Sequence, residues 1–517
     1  LQREQLRPAP GGKLIWQPRL TAAQEEALRR SGWQVEALPD HSRVGRTGTE
    51  SAWRDRAITK ARLLPGELTT YPSHSEIGTL LQAMATNYPA IARTVSWGTS
   101  VQGRELWGLV ISDDVQNTEP EPEVRLSSSM HGDEPIGLVM LLNLADYLTS
   151  NYGQPGFEDV TDLVDGTEIH VLPLHNPDGY ALGSRNNVNN VNLNRNYLDP
   201  AGTHTVLEPE NEDFIAYSLG QHFVVSSNAH SGALVVNYPW DYTFTLPPDE
   251  AAIINLSTEY ASHNPPMAAS PVFPGGIVNG AEWYVATGTL QDWSYDRTGC
   301  IDLTLELDNT KWPQASRLAG LWQDNRDSYL AFLAAIRWGV HGVVTDAETG
   351  LPLAATVAVA GIDMPVTTDP AHGDYVKLLP TGIWELTVGA DGYEPVVVSG
   401  VSTTWGAGTT VDVALQAAVS EVPPAVSVAM RAAPNPFNGG TYLSFNNPRD
   451  GWVDLSIYDL RGRRVTELLA GQHPAGLDSV RWDGTDEGGR RLGSGVYLVR
   501  LHTAGGETTV LKIGLVK

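Results

Sequence analysis

Strand-like and helix-like segments alternate along residues 70–338, and this alternation constrains the fold more than any other feature of the sequence. Four short apolar segments predict strands: EVRLSSS, EIHVLPL, FVVSSNA and CIDLTLEL. Three longer segments have helical spacing and caps: PIGLVMLLNLADYLTSN, ENEDFIAYSLGQH and LAGLWQDNRDSYLAFLAAIRWG. Strands that alternate with helices predict an α/β domain in which helices cover a sheet.

From residue 339 onward, short β segments cut by Gly and Pro turns replace the alternating pattern. Residues 339–417 and 427–517 predict two all-β sandwich domains, joined by a Pro- and Ala-rich linker at 418–426. Residues 1–65 hold one helix-like segment, TAAQEEALRRSG, and cannot bury a core alone. They predict an N-terminal arm or the remnant of a propeptide.

The charge of the chain limits its partners. Its 517 residues carry a formal net charge of −26, which argues against nucleic acid and favours cationic ligands. Cys300 is the only cysteine, so no intrachain disulfide can form. Because no run of about 18 apolar residues occurs, the sequence predicts no transmembrane segment.

The segment SSMHGDEPIG follows a predicted strand and precedes a predicted helix. Its His131 and Glu134 are three residues apart, so both side chains can converge on one point across the turn. Histidine nitrogen and carboxylate oxygen are a ligand set that zinc prefers. The pair alone is a weak motif.

His230, in NAHSGALVVNYPWD, ends another apolar strand. A lone histidine there is more often a core residue. As a third ligand it would give two imidazoles and one carboxylate with one position open, which is the hydrolytic pattern of zinc.

In CIDLTLELDN, Asp302, Thr304 and Glu306 share one face of the predicted strand. An acidic face is costly in so apolar a strand unless it lines a site, where Glu306 would be a natural general base. The alternative is an edge strand with one wet face.

Two arginines stand in the loop HNPDGYALGSRNNVNNVNLNRNYLDP. Arg185 and Arg195 could bind carboxylates or stabilise an oxyanion, or could be ordinary surface charges.

Taken together, these segments resemble the M14 family of zinc metallocarboxypeptidases. The regulatory branch, which includes carboxypeptidases N, E, M and D, is the most similar. The matching segments, in family order, are HGDEPIG, LPLHNPDGY, NLNRNY, AHSGALVVNYPWD, FPGGIVNGAEWY and GTLQDWSYDRTGCIDLTLEL. The resemblance implies the zinc carboxypeptidase fold for residues 66–338, with a mixed twisted sheet flanked by helices. It also implies an enzyme that removes single C-terminal residues from peptides and proteins.

The resemblance implies a role for each catalytic position. His131, Glu134 and His230 would bind one Zn²⁺ per chain. Arg185 would hold the oxyanion, and Glu306 would activate the attacking water and return its proton to the leaving amine.

It also implies five substrate-binding residues. Asn194 and Arg195 would hold the terminal carboxylate, and Tyr284 would close over the last residue. Asp241 and Gln291 would lie at the deep end of the side-chain pocket and favour C-terminal Lys or Arg, Gln291 by accepting a hydrogen bond. The alternative for Asp241 is a turn cap that points to solvent.

Two positions depart from the family pattern. Asn192 stands where the family usually has Asp, so the contact behind a ligand is expected to differ. Ser231 stands where the regulatory branch usually has Gly.

The β modules carry resemblances of their own. GVVTDAETGLPLAATVAVAG and DGYEPVVV resemble the transthyretin-like domain of the same branch. NPFN, IYDLRGRRV and WDGTDEGGRRLGSGVYLVRL resemble Ig-like C-terminal domains of bacterial secreted proteins, some of which direct secretion or attachment. This predicts a secreted or cell-surface protein, with secretion machinery or the cell surface as a further partner.

Three other functions are open at this point. The same fold could hydrolyse cell-wall peptides. A degenerate domain could only bind at the cell surface, although such a domain would lack a ligand or Glu306. The β modules could also point to a structural or adhesive role.

Overall fold

A computed structural model describes residues 68–198, 206–418, 430–447, 449–503 and 508–516, together with the backbone of Leu6–Ala9 (β1) and Lys13–Trp16 (β2). These first two strands form an antiparallel pair. The helix predicted within residues 1–65 and the linker predicted at 418–426 fall almost wholly outside the described residues.

Eight strands form one mixed sheet in the order β3-β4-β6-β5-β7-β10-β8-β9. The central neighbours β6, β5, β7 and β10 are parallel, and β9 is parallel to β8. The pairs β3–β4, β4–β6 and β8–β10 are antiparallel. The predicted mixed sheet is therefore confirmed. The strands are Ala92–Thr99 (β3), Glu105–Ile111 (β4), Glu123–Ser128 (β5), Glu168–Leu172 (β6), Phe223–His230 (β7), Ala233–Tyr238 (β8), Ile277–Asn279 (β9) and Ile301–Asp308 (β10).

Helices flank this sheet, as predicted. The α-helices are His74–Asn87 (α1), Ile136–Asn151 (α2), Glu158–Val164 (α3), Pro177–Leu182 (α4), Pro209–Leu219 (α5), Glu250–Ser262 (α6), Pro265–Ala268 (α7), Gly280–Trp283 (α8), Leu290–Thr298 (α9) and Leu318–Ala335 (α10). Short 3₁₀ turns cover Leu193–Arg195, Pro274–Gly276 and Ala315–Arg317. Helix α2 is apolar on nearly every face because it lies between the sheet and α10, and most of its side chains are buried.

Two predicted helices end earlier than their apolar pattern suggested. Helix α5 stops at Leu219 because Gly220 follows. Helix α10 stops at Ala335, and the chain turns into the next strand at Gly339, whose φ of +94° suits glycine.

Residues 339–418 form two small sheets in the orders β14-β11-β17 and β13-β12-β15-β16, with β18 paired to β11. The strands are Gly339–Asp346 (β11), Ala355–Val359 (β12), Ile362–Thr367 (β13), Asp374–Lys377 (β14), Gly382–Ala390 (β15), Val396–Thr403 (β16), Gly408–Thr410 (β17) and Val413–Leu415 (β18). This β-sandwich packs against the α/β part. Val376 and Leu378 are buried in the main core of the α/β part, and Trp405 lies edge-to-face on Trp338.

Leu1–Ala418 and Val419–Lys517 are separate compact units. The second unit contains a three-stranded sheet, β19-β20-β23, and a four-stranded sheet, β22-β21-β24-β25, all antiparallel. Its strands are Met430–Ala433 (β19), Thr441–Asn447 (β20), Gly451–Tyr458 (β21), Arg464–His473 (β22), Gly476–Trp482 (β23), Gly495–His502 (β24) and Thr508–Leu515 (β25). The prediction of all-β modules after the α/β domain is therefore confirmed.

None of the helices in the described part of the chain combines the length and the apolarity that a membrane span requires.

Candidate active site

Three central parallel strands bring the predicted site together at one edge of the sheet. Strand β5 ends just before the His131 turn, and His230 is the last residue of β7. Glu306 on β10 is the register partner of His230. Because the carboxyl ends of parallel strands meet at the same edge, residues from distant parts of the sequence become neighbours.

The turn after β5 makes His131 and Glu134 converge. The backbone N–H of Glu134 donates to the carbonyl of His131 at 3.0 Å, which closes the turn. Gly132 is required here because a Cβ would lie 2.1 Å from the carbonyl carbon of Gly179. The turn therefore packs directly against the backbone of α4.

The three predicted ligands form a tight, buried triangle. Nδ1 of His131 lies 2.9 Å from Oε2 of Glu134, and Nδ1 of His230 lies 2.9 Å from each of these two atoms. Each of the three residues is 2% exposed. His230 is therefore buried, yet it is part of a polar cluster rather than an ordinary core residue.

The chemistry of this triangle fits a zinc ion. Nε2 of His131 donates to Oδ1 of Asn192 at 2.9 Å, so Nδ1 carries the lone pair that faces the other ligands. Burial, and next the Arg185 guanidinium, hold the pKa of His131 well below its usual value, which keeps the ring neutral. Two imidazole nitrogens and one carboxylate oxygen are a zinc ligand set with room for a further ligand.

The departure at Asn192 changes the chemistry behind His131 but keeps the contact. Its amide oxygen accepts from the imidazole and also from the backbone N–H of Asn194 at 3.0 Å. The family's Asp would place a negative charge here. This chain holds the imidazole with a neutral acceptor instead.

The second oxygen of Glu134 contacts two cations. Nη1 of Arg185 and Nζ of Lys311 each lie 2.6 Å from Oε1. Burial opposes ionisation, but Lys311, His131 and Arg185 together hold the pKa of Glu134 well below its usual value. The sequence analysis missed Lys311. Its position three residues after β10 was the available signal.

Glu306 lies beside the ligand triangle, since it pairs in register with His230. Its Oε2 is buried and makes no hydrogen bond to the described residues. Burial, followed by the nearby Glu134 carboxylate, raises the pKa of Glu306 to about 7. A carboxyl with that pKa can take and return a proton near neutral pH.

The acidic face of β10 reaches the site only through Glu306. Asp302 is fully buried and instead accepts from Arg125 of β5 at 3.0 Å. Arg125 also donates to hydroxyls of Ser226 and Ser294. The acidic face therefore has two parts, since Glu306 lies beside the ligand triangle whereas an arginine on another strand neutralises Asp302.

The predicted carboxylate-binding residues lie on the 3₁₀ turn Leu193–Arg195 and after α8. The side-chain oxygen of Asn194 accepts from the N–H of Leu290 at 2.9 Å, which leaves its Nδ2 as the donor end. Nη1 of Arg195 donates to the carbonyl of Asn194 at 2.6 Å. The guanidinium of Arg195 lies 5.8 Å from the ring centroid of Tyr284, so these two residues are neighbours.

Asp241 is buried, with 5% of its surface exposed, so the alternative of a solvent-facing turn cap is wrong. Its Oδ1 accepts from Nδ2 of Asn237 at 3.1 Å. Burial raises the pKa of Asp241. The carboxylate of Asp292 on α9 holds the backbone N–H groups of Asp241 and Tyr242 at 2.9 to 3.1 Å.

Gln291, on the same helix, is also fully buried. Its Oε1 lies 2.7 Å from the hydroxyl of Thr304, and its Nε2 has no partner among the described residues. No hydrogen bond between the side chains of Gln291 and Asp241 is found in the described part of the chain. Ser231, the other departure, donates its hydroxyl to the carbonyl of Lys311 at 2.6 Å.

Three parts of the chain match known families. Residues 77–328 match the zinc carboxypeptidase family, and residues 339–416 match the carboxypeptidase regulatory-like domain. Residues 434–507 match the FlgD Ig-like domain.

Related proteins match about two thirds of the chain. Human carboxypeptidase D is 40% identical over 343 residues, which are 61% of this chain and 25% of that protein. Carboxypeptidase SOL1 of Arabidopsis thaliana is 36% identical over 352 residues, 66% of this chain and 70% of its own length. The catalytic chain of human carboxypeptidase N is 34% identical over 360 residues, 60% of this chain and 78% of its own.

The α/β fold and the His-Glu-His triangle define a zinc peptidase type of protein. The chain belongs to the zinc carboxypeptidase family. It spans about a quarter of the length of the carboxypeptidase D proteins that it matches.

Proposed function

We propose that this chain is a zinc-dependent exopeptidase that removes single residues, preferentially Lys or Arg, from the C-termini of peptides and proteins. The convergence of His131, Glu134 and His230 at 2.9 Å beside Glu306 is the observation that carries the proposal. All the groups that a degenerate binding protein would lack are present in this cluster.

His131, Glu134 and His230 would hold the zinc. When bound, zinc supplies a Lewis acid that polarises the scissile carbonyl and lowers the pKa of water. Glu306 takes the proton of the attacking water and passes a proton to the leaving amine. Its pKa near 7 suits both transfers.

Arg185 stabilises the negative charge that develops on the carbonyl oxygen. Its side chain, which contacts Glu134, is 36% exposed, so a substrate can reach it. Arg195 pairs with the terminal carboxylate, and Asn194 adds a hydrogen bond from Nδ2. Tyr284, next to Arg195, covers the last residue and excludes water.

The preference for Lys or Arg rests on Asp241. It is a buried acid with no ion-pair partner among the described residues. Such a carboxylate is costly unless a cation reaches it. The side chain of a C-terminal Lys or Arg would bring that cation.

The amide of Gln291 supports the same preference. Its Oε1 accepts from the hydroxyl of Thr304 at 2.7 Å. An amide oxygen has two lone pairs, so it can accept a second hydrogen bond from a cationic side chain.

We further infer that the chain acts outside the cytoplasm. The Ig-like match of the C-terminal unit supports this inference, with secretion machinery or the cell surface as partner. Fractionation of cells that produce the chain with and without residues 427–517 would test it.

The experiment that tests the enzymatic proposal uses peptides that differ only in their last residue. We expect release of that residue alone, fastest for Arg and Lys, and loss of activity with a zinc chelator. Internal cleavage, or activity that survives removal of the metal, would contradict the proposal.

A further inference from the structure

A buried ion pair joins the β-sandwich to the α/β part. Nζ of Lys377, at the end of β14, donates to Oδ2 of Asp249 at 2.7 Å. Lys377 is 4% exposed and Asp249 is 3% exposed. Nζ also donates to the carbonyl of Met364 on β13 at 2.8 Å. The ammonium therefore has one partner in the β-sandwich and one in the α/β part.

Asp249 ends the segment that begins at Asp241. We call residues 241–249 the specificity loop, since its first residue is the buried acid described above. The two ends of this loop are fixed by the same helix, α9. Asp292 of α9 holds the first end through backbone N–H groups. The hydroxyl of Tyr295, one turn later, donates to Asp249 at 2.8 Å at the other end.

Aromatic packing completes this arrangement. Trp240 lies directly before the loop, and its ring centroid is 4.9 Å from the ring centroid of Tyr295. Between its fixed ends the loop is open to solvent, with Phe244 68% and Leu246 48% exposed. The middle of the loop therefore contributes little to its own position, which depends on the two ends.

We propose that Lys377 is a positioning residue for the side-chain pocket. Asp249 also accepts from Tyr295, so its ion pair with Lys377 fixes the far end of the specificity loop together with α9. Helix α9 carries Asp292, which holds Asp241, and through this helix the β-sandwich fixes the place of Asp241. The inference rests on the proposed function, since it concerns how the pocket selects Lys or Arg. It gives residues 339–418 a part in specificity in addition to stability.

A purely structural role would have a different consequence. A loss of folded protein lowers activity equally on every substrate, because the molecules that remain folded are unchanged. A displaced Asp241 lowers activity on Arg-terminated peptides and spares Leu-terminated peptides. The ratio of kcat/KM for the two peptides separates these cases.

The test compares three variants of the full chain loaded with zinc. Lys377→Met leaves Asp249 buried without a counter-charge, so it also risks misfolding. The double variant Lys377→Met with Asp249→Asn removes the link and leaves no orphaned charge. Lys377→Arg keeps the ion pair. As a matched control, His372→Ala removes another contact between the two parts, 2.9 Å from Thr118, that does not reach the loop.

In the double variant we expect the ratio of kcat/KM for the Arg-terminated peptide to kcat/KM for the Leu-terminated peptide to fall about tenfold, which corresponds to about 1.4 kcal/mol. Its zinc content should be unchanged, and amide hydrogen exchange at 241–249 should be faster. The Lys377→Arg and His372→Ala variants should keep the wild-type ratio. A double variant that folds and keeps the wild-type ratio overturns the inference. A wild type that prefers no basic residue overturns the proposed specificity instead.

Discussion

Replacement of Asp241 by Asn tests the side-chain pocket directly. Asparagine keeps the volume of Asp241 and can still accept from Asn237, so the loop is expected to stay in place. Only the negative charge is lost. The cation of a C-terminal Arg would then meet a buried side chain, 5% exposed in the wild type, without a counter-charge.

The size of the effect follows from that burial. Breaking a buried ion pair by removing one partner costs about 3–5 kcal/mol. At about 1.4 kcal/mol for each factor of ten, kcat/KM for Arg-terminated peptides should fall by about 10²- to 4 × 10³-fold. Leu-terminated peptides bring no charge, so their kcat/KM should change little.

The assay measures kcat/KM for a pair of peptides that end in Arg or Leu. Asp296→Asn, on the same helix as Gln291, is the matched control, because it makes the same change of net charge at a partly exposed position. An equal loss on both peptides, or an unchanged ratio, would refute the role of Asp241. Burial raises the pKa of Asp241. We therefore also expect the wild-type preference for Arg over Leu to weaken as the pH falls, beginning at a pH above the ordinary pKa range of an aspartate.

Four further outcomes are expected. His230→Ala should lose most of its zinc by elemental analysis, whereas the exposed His263→Ala should keep it; stoichiometric zinc with full activity would show that the ligand assignment is wrong. Glu306→Gln should keep zinc and Tm but turn over about 10²–10⁴-fold more slowly, and near wild-type turnover would count against its role as the base. Peptides with an amidated C-terminus should be very poor substrates because Arg195 loses its charged partner, and rapid cleavage of them would indicate an amidase or endopeptidase. Burial raises the pKa of Glu123 from 4.5 to about 8, so its contribution to stability is present below pH 4.5 and is lost as the pH rises to about 8. Glu123→Gln should therefore raise Tm at pH 8 but not at pH 4. An equal Tm of the variant and the wild type at pH 8 would contradict this.

The metal cluster could be located from sequence because its residues sit at strand ends. The end of an apolar strand indicates where the chain reaches the edge of the sheet. His131 follows such a strand, and His230 is the last residue of another. Parallel neighbours bring those ends together, so sequence position alone predicts proximity. Glu306 was located by alternation instead, since it lies on the acidic face of β10.

Partners that come from distant segments could not be predicted in this way. The pattern of β10 gave the face of Asp302 but not Arg125, which is 177 residues away and satisfies it. Lys311 and Lys377 were missed for the same reason, since a lone lysine carries no local signal of what it will meet. The helix ends at Leu219 and Ala335 were misplaced by a few residues, because helix-like spacing does not mark where the last turn stops.

The packing of Val376 and Leu378 into the α/β core has a consequence for how such chains are inherited and engineered. A gene fragment cut at residue 338 would remove part of the hydrophobic interior and leave apolar surface uncovered. Recombination that separates the two regions would therefore yield chains prone to aggregate. The α/β part and the β-sandwich of residues 339–418 are therefore expected to pass between proteins together. The unit that begins at Val419 is a separate compact unit and can be exchanged without exposing the α/β core.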